Sequence, residues 1–194
     1  MLITLKDRYD LPAELNRINF LGVGVEVGSL RGDFAAYLLK NWNGKRLYLI
    51  DAWRYTPGAH DGNNADPEGQ RDNMSAAFRA VYEFGSRAVI VRDSSVMASQ
   101  LFPDGVLDFV YIDAAHDYES VKDDLRVWIP KVRPGGLVIG DDYAHGTWAH
   151  GKKDGMDILT DFEVKLAVDE YVKEKKVQLF LTEDEKPQWW FFKE

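Results

Sequence analysis

The chain has no cysteine, which excludes disulfides and thiolate metal sites and leaves the redox compartment open. It also lacks a basic excess: 24 lysines and arginines face 32 aspartates and glutamates, for a net charge of −8. A protein that holds DNA or RNA in bulk needs a basic surface for the phosphates, so no nucleic-acid partner is expected. Long hydrophobic runs are missing as well. The first ten residues reach a charge at Lys6 and hold no apolar stretch long enough for a signal peptide or a membrane span. No repeat, low-complexity tract or interdomain linker divides the sequence. The default expectation is a soluble cytoplasmic protein with no membrane partner. Its 194 residues make most simply one domain (1–194), large enough for a central sheet with helices on both faces.

What is present alternates between extended and helical patterns, as in a mostly parallel sheet. Extended runs fall at 23–27, 47–51, 88–91, 107–112 and 136–140, the last introduced by the turn Arg133-Pro134-Gly135. Helical spacing covers 33–42, 74–84, 95–101 and 118–130, and a further helix runs through about residue 173. Residues 1–21 form an N-terminal helical segment, of which 11–20 offers one surface for a homodimer and the aromatic C-terminus another. Runs 177–181 and 189–192 flank the turn 183–187 and read as a hairpin. Trp189-Trp190-Phe191-Phe192 fits a packed strand better than an exposed aromatic patch. Two polar stretches, 54–69 and 143–155, read as long loops, which in a compact domain are usually functional.

Two segments fit each other chemically. Val23-Gly24-Val25-Glu26-Val27-Gly28-Ser29-Leu30-Arg31-Gly32-Asp33 is a buried strand breaking into a glycine turn and then a helix. Gly28 and Gly32 let the backbone approach a ligand and face it with a helix N-terminus. About twenty residues on, Leu47-Tyr48-Leu49-Ile50-Asp51-Ala52-Trp53 is a second buried strand ending in an acid placed to accept from ribose hydroxyls. Together they predict an adenosine-containing cofactor. A pyrophosphate needs G-x-G-x-x-G. Here Glu26 stands where the first glycine would be, and a carboxylate repels a pyrophosphate but favours an amino group. Gly22 and Gly24 lie within the strand as packing positions.

The spacing Glu26-x-Gly28-x-x-x-Gly32 resembles the first motif of the class I S-adenosylmethionine (SAM)-dependent methyltransferases. That resemblance implies a Rossmann-like α/β fold: a seven-stranded, mostly parallel sheet, helices on both faces and a C-terminal antiparallel hairpin. It implies cofactor contacts from Glu26, Gly28, Ser29, Gly32 and Asp51. Asp93-Ser94 matches the position that holds the adenine, although Asp93 also reads as a cap for the helix at 95–101. Trp53 reads equally as a cover for the adenosine and as a core residue.

Acids end all five leading strands: Glu26, Asp51, Asp93, Asp113 and Asp141. Ligands of parallel sheets sit outside the carboxyl ends of the strands, so these acids are expected around one cleft. The order Asp113-x-x-His116-x-Tyr118, an amphipathic helix, Arg133-Pro134-Gly135-Gly136 and Gly140-Asp141-Asp142-Tyr143 resembles a branch of small-molecule O-methyltransferases acting on sugars and natural-product hydroxyls. The likeness spans about residues 22–143. It implies a small-molecule hydroxyl acceptor and, by position, a Mg²⁺ site at Asp113, Asp141 and Asp142. A hard cation with oxygen ligands relieves the repulsion of three crowded carboxylates.

The branch's general-base acid falls on Ala115 here, so that role does not transfer. His116, with an imidazole that titrates near neutrality, is the substitute base beside Asp113, or else a packing residue near Tyr118. His145, His150 and Trp148 in the second loop are candidates for the acceptor pocket, and Lys152 and Lys153 for an anionic acceptor. Two further readings stay open. One is a SAM-binding accessory or sensor domain without transfer, favoured by Ala115. The other is a nicotinamide-dependent oxidoreductase, opposed by Glu26.

Overall fold

A computed structural model of the chain describes residues 3–56, 66–153 and 156–194, with the backbone alone at 150–153 and 156–158. The strands are β1 (Val23–Val27), β2 (Arg46–Asp51), β3 (Ala88–Arg92), β4 (Leu107–Ile112), β5 (Val132–Gly140), β6 (Gly146–Lys153), β7 (Met156–Phe162), β8 (Phe180–Leu181) and β9 (Trp189–Phe192). The helices are α1 (Leu11–Arg17), α2 (Asp33–Asn41), α3 (Pro67–Val81), α4 (Ser95–Ser99), α5 (Tyr118–Trp128) and α6 (Val164–Lys175). Seven strands form one sheet in the order β3-β2-β1-β4-β5-β9-β8. The first five are parallel, and the β8–β9 hairpin closes the edge antiparallel to β5.

Strand alternation sorts the core into two layers. Ile50, Val110, Ile112 and Val138 pack under Ala98, Val121, Leu125, Trp128, Val164 and Val168 of α4, α5 and α6. Leu47, Leu49, Phe109, Tyr111 and Ile139 pack on the other face against Leu11, Leu15, Ala35 and Leu38 of α1 and α2. Covering both faces is what makes these strands read as near-continuous apolar runs. Gly24 belongs to this packing: a Cβ there would sit 2.2 Å from the Phe109 ring. Trp189, Trp190 and Phe191 are buried in β9, so the aromatic C-terminus is a core strand. None of the described helices is long and apolar enough to cross a membrane.

Strand β5 starts earlier than expected, at Val132, so that Arg133-Pro134-Gly135 lies within it, and β8 is shorter, at Phe180–Leu181. Three further boundaries differ near the site. The stretch 143–155 is no plain loop, because β6 begins at Gly146 and pairs with β7 as a separate two-stranded sheet. Polar residues hide β6 in the sequence, while the described end of β7 alternates, with Thr160 and Phe162 buried and Leu159 and Asp161 exposed. The following helix consequently starts late, at Val164. Helix α3 starts early, at Pro67, because Asp66 accepts from the amides of Glu68 and Gly69 and proline suits the first turn. The remainder of the first expected loop, 57–65, lies outside the described residues.

Candidate active site

Register decides which strand-end residues reach the cleft. Val27 pairs with Ile50 and Ile112, and Ile112 pairs with Gly140. The next residues, Gly28, Asp51, Asp113 and Asp141, therefore form one row along the carboxyl edge of the sheet. Beyond that edge opens a cavity of about 820 Å³. Its walls include Gly28, Leu30, Asp51, Ser94, Ser95, Asp113, His116 and Asp124, with Thr147, Thr160 and Phe162 from the β6–β7 hairpin.

The glycine turn is pinned from both sides. The Gly28 amide donates to the Ile50 carbonyl at 2.8 Å, and that of Asp113 to the Val27 carbonyl at 2.8 Å. Gly28 has φ +90°, and a Cβ there would lie 1.9 Å from the Asp113 carbonyl oxygen. Gly32, at φ +77°, is the N-cap of α2. Asp51 accepts from the Leu30 amide through Oδ2 and from the Trp53 amide through Oδ1, both at 2.8 Å. It thus orders the turn while facing the cavity. A carboxylate oxygen accepts more than one hydrogen bond, so the same group can also take a ligand hydroxyl.

Glu26 sits beneath this surface, buried, with Oε2 accepting from Ser29 Oγ at 2.5 Å. Burial pushes its carboxyl up to about 8, against the Ser29 hydrogen bond. Neither Glu26, Ser29 nor Gly32 lines the cavity. The Ser29–Glu26 hydrogen bond ties the turn to the end of β1. Trp53, at φ +38°, is also off the wall: it is 2% exposed, and its Nε1 donates to the Leu30 carbonyl at 2.7 Å. Through that bond it clasps the residues that follow β1 and β2 together.

Asp93 is displaced for a reason of register. Asp51 pairs with Arg92, which leaves Asp93 one residue past the row, exposed, with Oδ1 accepting from the Ser94 amide at 2.8 Å. The cap of α4 is Ser94, whose Oγ accepts from the Met97 amide. Ser94 lines the cavity and Asp93 does not.

At the other end of the cleft, Asp113, His116 and Asp142 bring one ligand atom each within 4.8 Å of one another. His116 Nε2 lies 3.2 Å from Asp142 Oδ2 and 3.9 Å from Asp113 Oδ1. Burial pulls the imidazole down, but the two carboxylates outweigh it and raise it to about 10. Asp142 is held below the usual carboxylate range, since His116 and Lys186 overcome its burial. Lys186 Nζ approaches Asp142 Oδ1 at 3.3 Å.

Of the expected all-aspartate trio, Asp113 and Asp142 lie in this cluster with His116, and Asp141 lies outside it. Asp141 turns instead toward Arg8, whose guanidinium lies 3.1 Å from Asp141 Oδ2 and 3.3 Å from Asp113 Oδ2. Asp141 Oδ1 also accepts from Gln188 Nε2 and from the Asp142 amide. Burial, followed by Asp113, lifts its carboxyl to about 6. The base expectation for His116 meets the same geometry. An imidazole that carries its proton at neutral pH between two carboxylates is a clamp or, once deprotonated, a ligand. Two oxygens and one nitrogen fit a divalent cation, and such a mixed set suits manganese better than magnesium.

His145 lines the cavity and Trp148 is half-buried. The side chains of His150, Lys152 and Lys153 lie outside the described residues. Sequence reasoning misses four residues here: Arg8, Lys186, Ser95 and Asp124. Only Asp124 carries a local signal, as an acid at i+3 on the buried stripe of α5 that holds Val121, Leu125 and Trp128.

A family model described as a methyltransferase domain matches residues 25–143. Among curated proteins none matches the chain. Solved structures share the fold. A candidate caffeoyl-CoA O-methyltransferase from Staphylococcus aureus superposes with a TM-score of 0.69 at 15% identity, covering 100% of this chain and 86% of that one. A candidate rRNA methylase from Clostridium thermocellum gives 0.61 at 16% identity, covering 98% and 99%. A methyltransferase from Geobacter sulfurreducens gives 0.62 at 14% identity, covering 95% and 77%. The first two are described with different targets, and at such identity the likeness is one of fold.

Proposed function

The chain belongs to the methyltransferase domain family, and from that membership we propose that it moves a methyl group from SAM to a hydroxyl of a small molecule. The observation that carries this reading is the sharing of one cavity by the glycine turn with Asp51 and by Asp113 and His116, which Asp142 backs from off the wall. SAM supplies the electrophilic methyl group, so the chain has to align, desolvate and accept a proton. Asp51 takes the ribose hydroxyls, and the turn at Gly28 lets the backbone close on the cofactor. Asp113 stands on the cavity wall at the end of β4, where it accepts the acceptor's hydroxyl hydrogen bond and, as the new C–O bond forms and the sulfonium S–CH₃ bond breaks to release S-adenosylhomocysteine, its proton.

A divalent cation, Mg²⁺ in the expectation of the branch or Mn²⁺ by donor type, would be held by Asp113, His116 and Asp142. When bound it lowers the pKa of a coordinated hydroxyl. The β6–β7 hairpin and residues 54–56 flank the acceptor side. The net charge of −8 argues for a small molecule over RNA, since an RNA target brings phosphates that need a basic surface.

The test is transfer of labelled methyl from SAM to a panel of sugars, phenols and polyketide alcohols, with structured RNA as the competing class. Each assay is run after chelation and after addition of Mg²⁺ or Mn²⁺. Methylation of a hydroxylated small molecule, raised by a divalent ion, is expected. Labelled RNA would overturn the substrate class, and SAM binding with no transfer to any acceptor would favour the accessory reading.

A further inference from the structure

We propose that Asp124, oriented by Ser95, recognises the amino edge of the cofactor's adenine, a specificity contact that rests on the SAM reading above. With the ribose on Asp51 of β2 and the methyl group toward Asp113 of β4, the base has to extend the other way along the sheet, toward β3. The cavity wall there includes Ser94, Ser95 and Val96, which follow β3 at the start of α4, and Asp124 of α5 meets them through its hydrogen bond with Ser95. Asp123 is exposed and paired with Arg126, and Asp93 is off the wall. Asp124 is the buried acid there, 4% exposed yet lining the cavity.

Its orientation is fixed by a chain of hydrogen bonds. Trp128 Nε1 donates to Ser95 Oγ at 2.8 Å, and the single hydroxyl hydrogen of Ser95 then goes to Asp124 Oδ1. This leaves Oδ2 as the acceptor available to a ligand. Placing an acid on the apolar stripe of α5 otherwise costs desolvation, and burial raises its carboxyl to about 7. A donor that arrives with the ligand offsets that cost. An exocyclic amine at the edge of a planar base has the right polarity, whereas a carbonyl in the same place would face the acid oxygen with an acceptor.

The experiment is calorimetric titration of S-adenosylhomocysteine and of its 6-oxo analogue, S-inosylhomocysteine, into the full chain and into Asp124→Asn and Asp93→Asn. The asparagine side chain is nearly isosteric and keeps an oxygen for Ser95. The unaltered protein is expected to prefer the adenosyl ligand by tenfold or more, because a site built to hydrogen-bond a group rejects an analogue lacking it. Asp124→Asn, which can donate to a 6-oxo group, is expected to narrow the preference by about tenfold, while Asp93→Asn leaves it unchanged. If Asp124 is only structural, Asp124→Asn lowers the melting temperature and weakens both ligands equally, with the ratio preserved. That result overturns the assignment alone. Failure of the unaltered protein to bind the adenosyl ligand overturns the cofactor reading and this assignment with it.

Discussion

Gly28→Ala is expected to abolish cofactor binding and to lower the unfolding midpoint by about 6–12 °C. Gly28 has φ +90°, a conformation that L side chains rarely adopt, at a strain of roughly 1–3 kcal/mol. Steric contact adds more. The new Cβ would stand 1.9 Å from the Asp113 carbonyl oxygen and 2.7 Å from Ala114 Cα, and backbone cannot rotate away as a side chain does. Either β4 moves off β1 at its carboxyl end, or the turn does, so a total on the order of 3 kcal/mol is expected. Either movement also disturbs Asp51, which is tied to the turn through Leu30. Gly85→Ala is the control. It shares a positive φ of +55° but has no neighbour within 4 Å, so only the backbone strain remains. Thermal melts and a titration with S-adenosylhomocysteine check both variants. A Gly28→Ala protein that melts like its parent and binds the ligand would show that the turn does not need glycine.

Arg8→Ala is expected to destabilise the chain by about 1–3 kcal/mol and to make it more responsive to divalent ions. Arg8 lies between Asp113 and Asp141, and its removal leaves two carboxylates facing each other without that cation. Breaking a buried ion pair costs about 3–5 kcal/mol, but Arg8 keeps 34% of its side chain exposed, so water recovers part of that. Asp141 would then be able to turn toward Asp113 and Asp142. Mn²⁺ should accordingly raise the melting temperature of the variant more than that of the parent. Equal melting temperatures, or no difference in the response to the ion, would show that Arg8 does not hold Asp141.

The parts of the site legible in the sequence are those that a local pattern encodes. The strand-turn-helix around Gly28, the acid ending β2 and the bounds of β4 at Leu107–Ile112 all follow from apolar runs interrupted by glycine or aspartate. What depends on pairing stays hidden. Asp93 looks equivalent to Asp51 because both end strands, but the register of β2 with β3 carries it one residue past the cavity edge. Arg8 meets Asp113 across 105 residues, a distance that no periodicity spans. Asp141 and Asp142 read as a pair, yet adjacent side chains point apart, and only Asp142 joins His116. Strand β6 is rich in glycine and polar residues, so it reads as a loop although it pairs with β7.

A SAM site at the carboxyl edge of the sheet underlies every role given to these residues. Calorimetric titration of SAM into the purified, metal-stripped chain, with NAD as the comparison ligand, tests it without the need for an acceptor. One SAM bound per chain and no heat from NAD are expected, because Glu26 stands where a pyrophosphate turn needs glycine. Binding of NAD, or of neither ligand, would contradict the assignment.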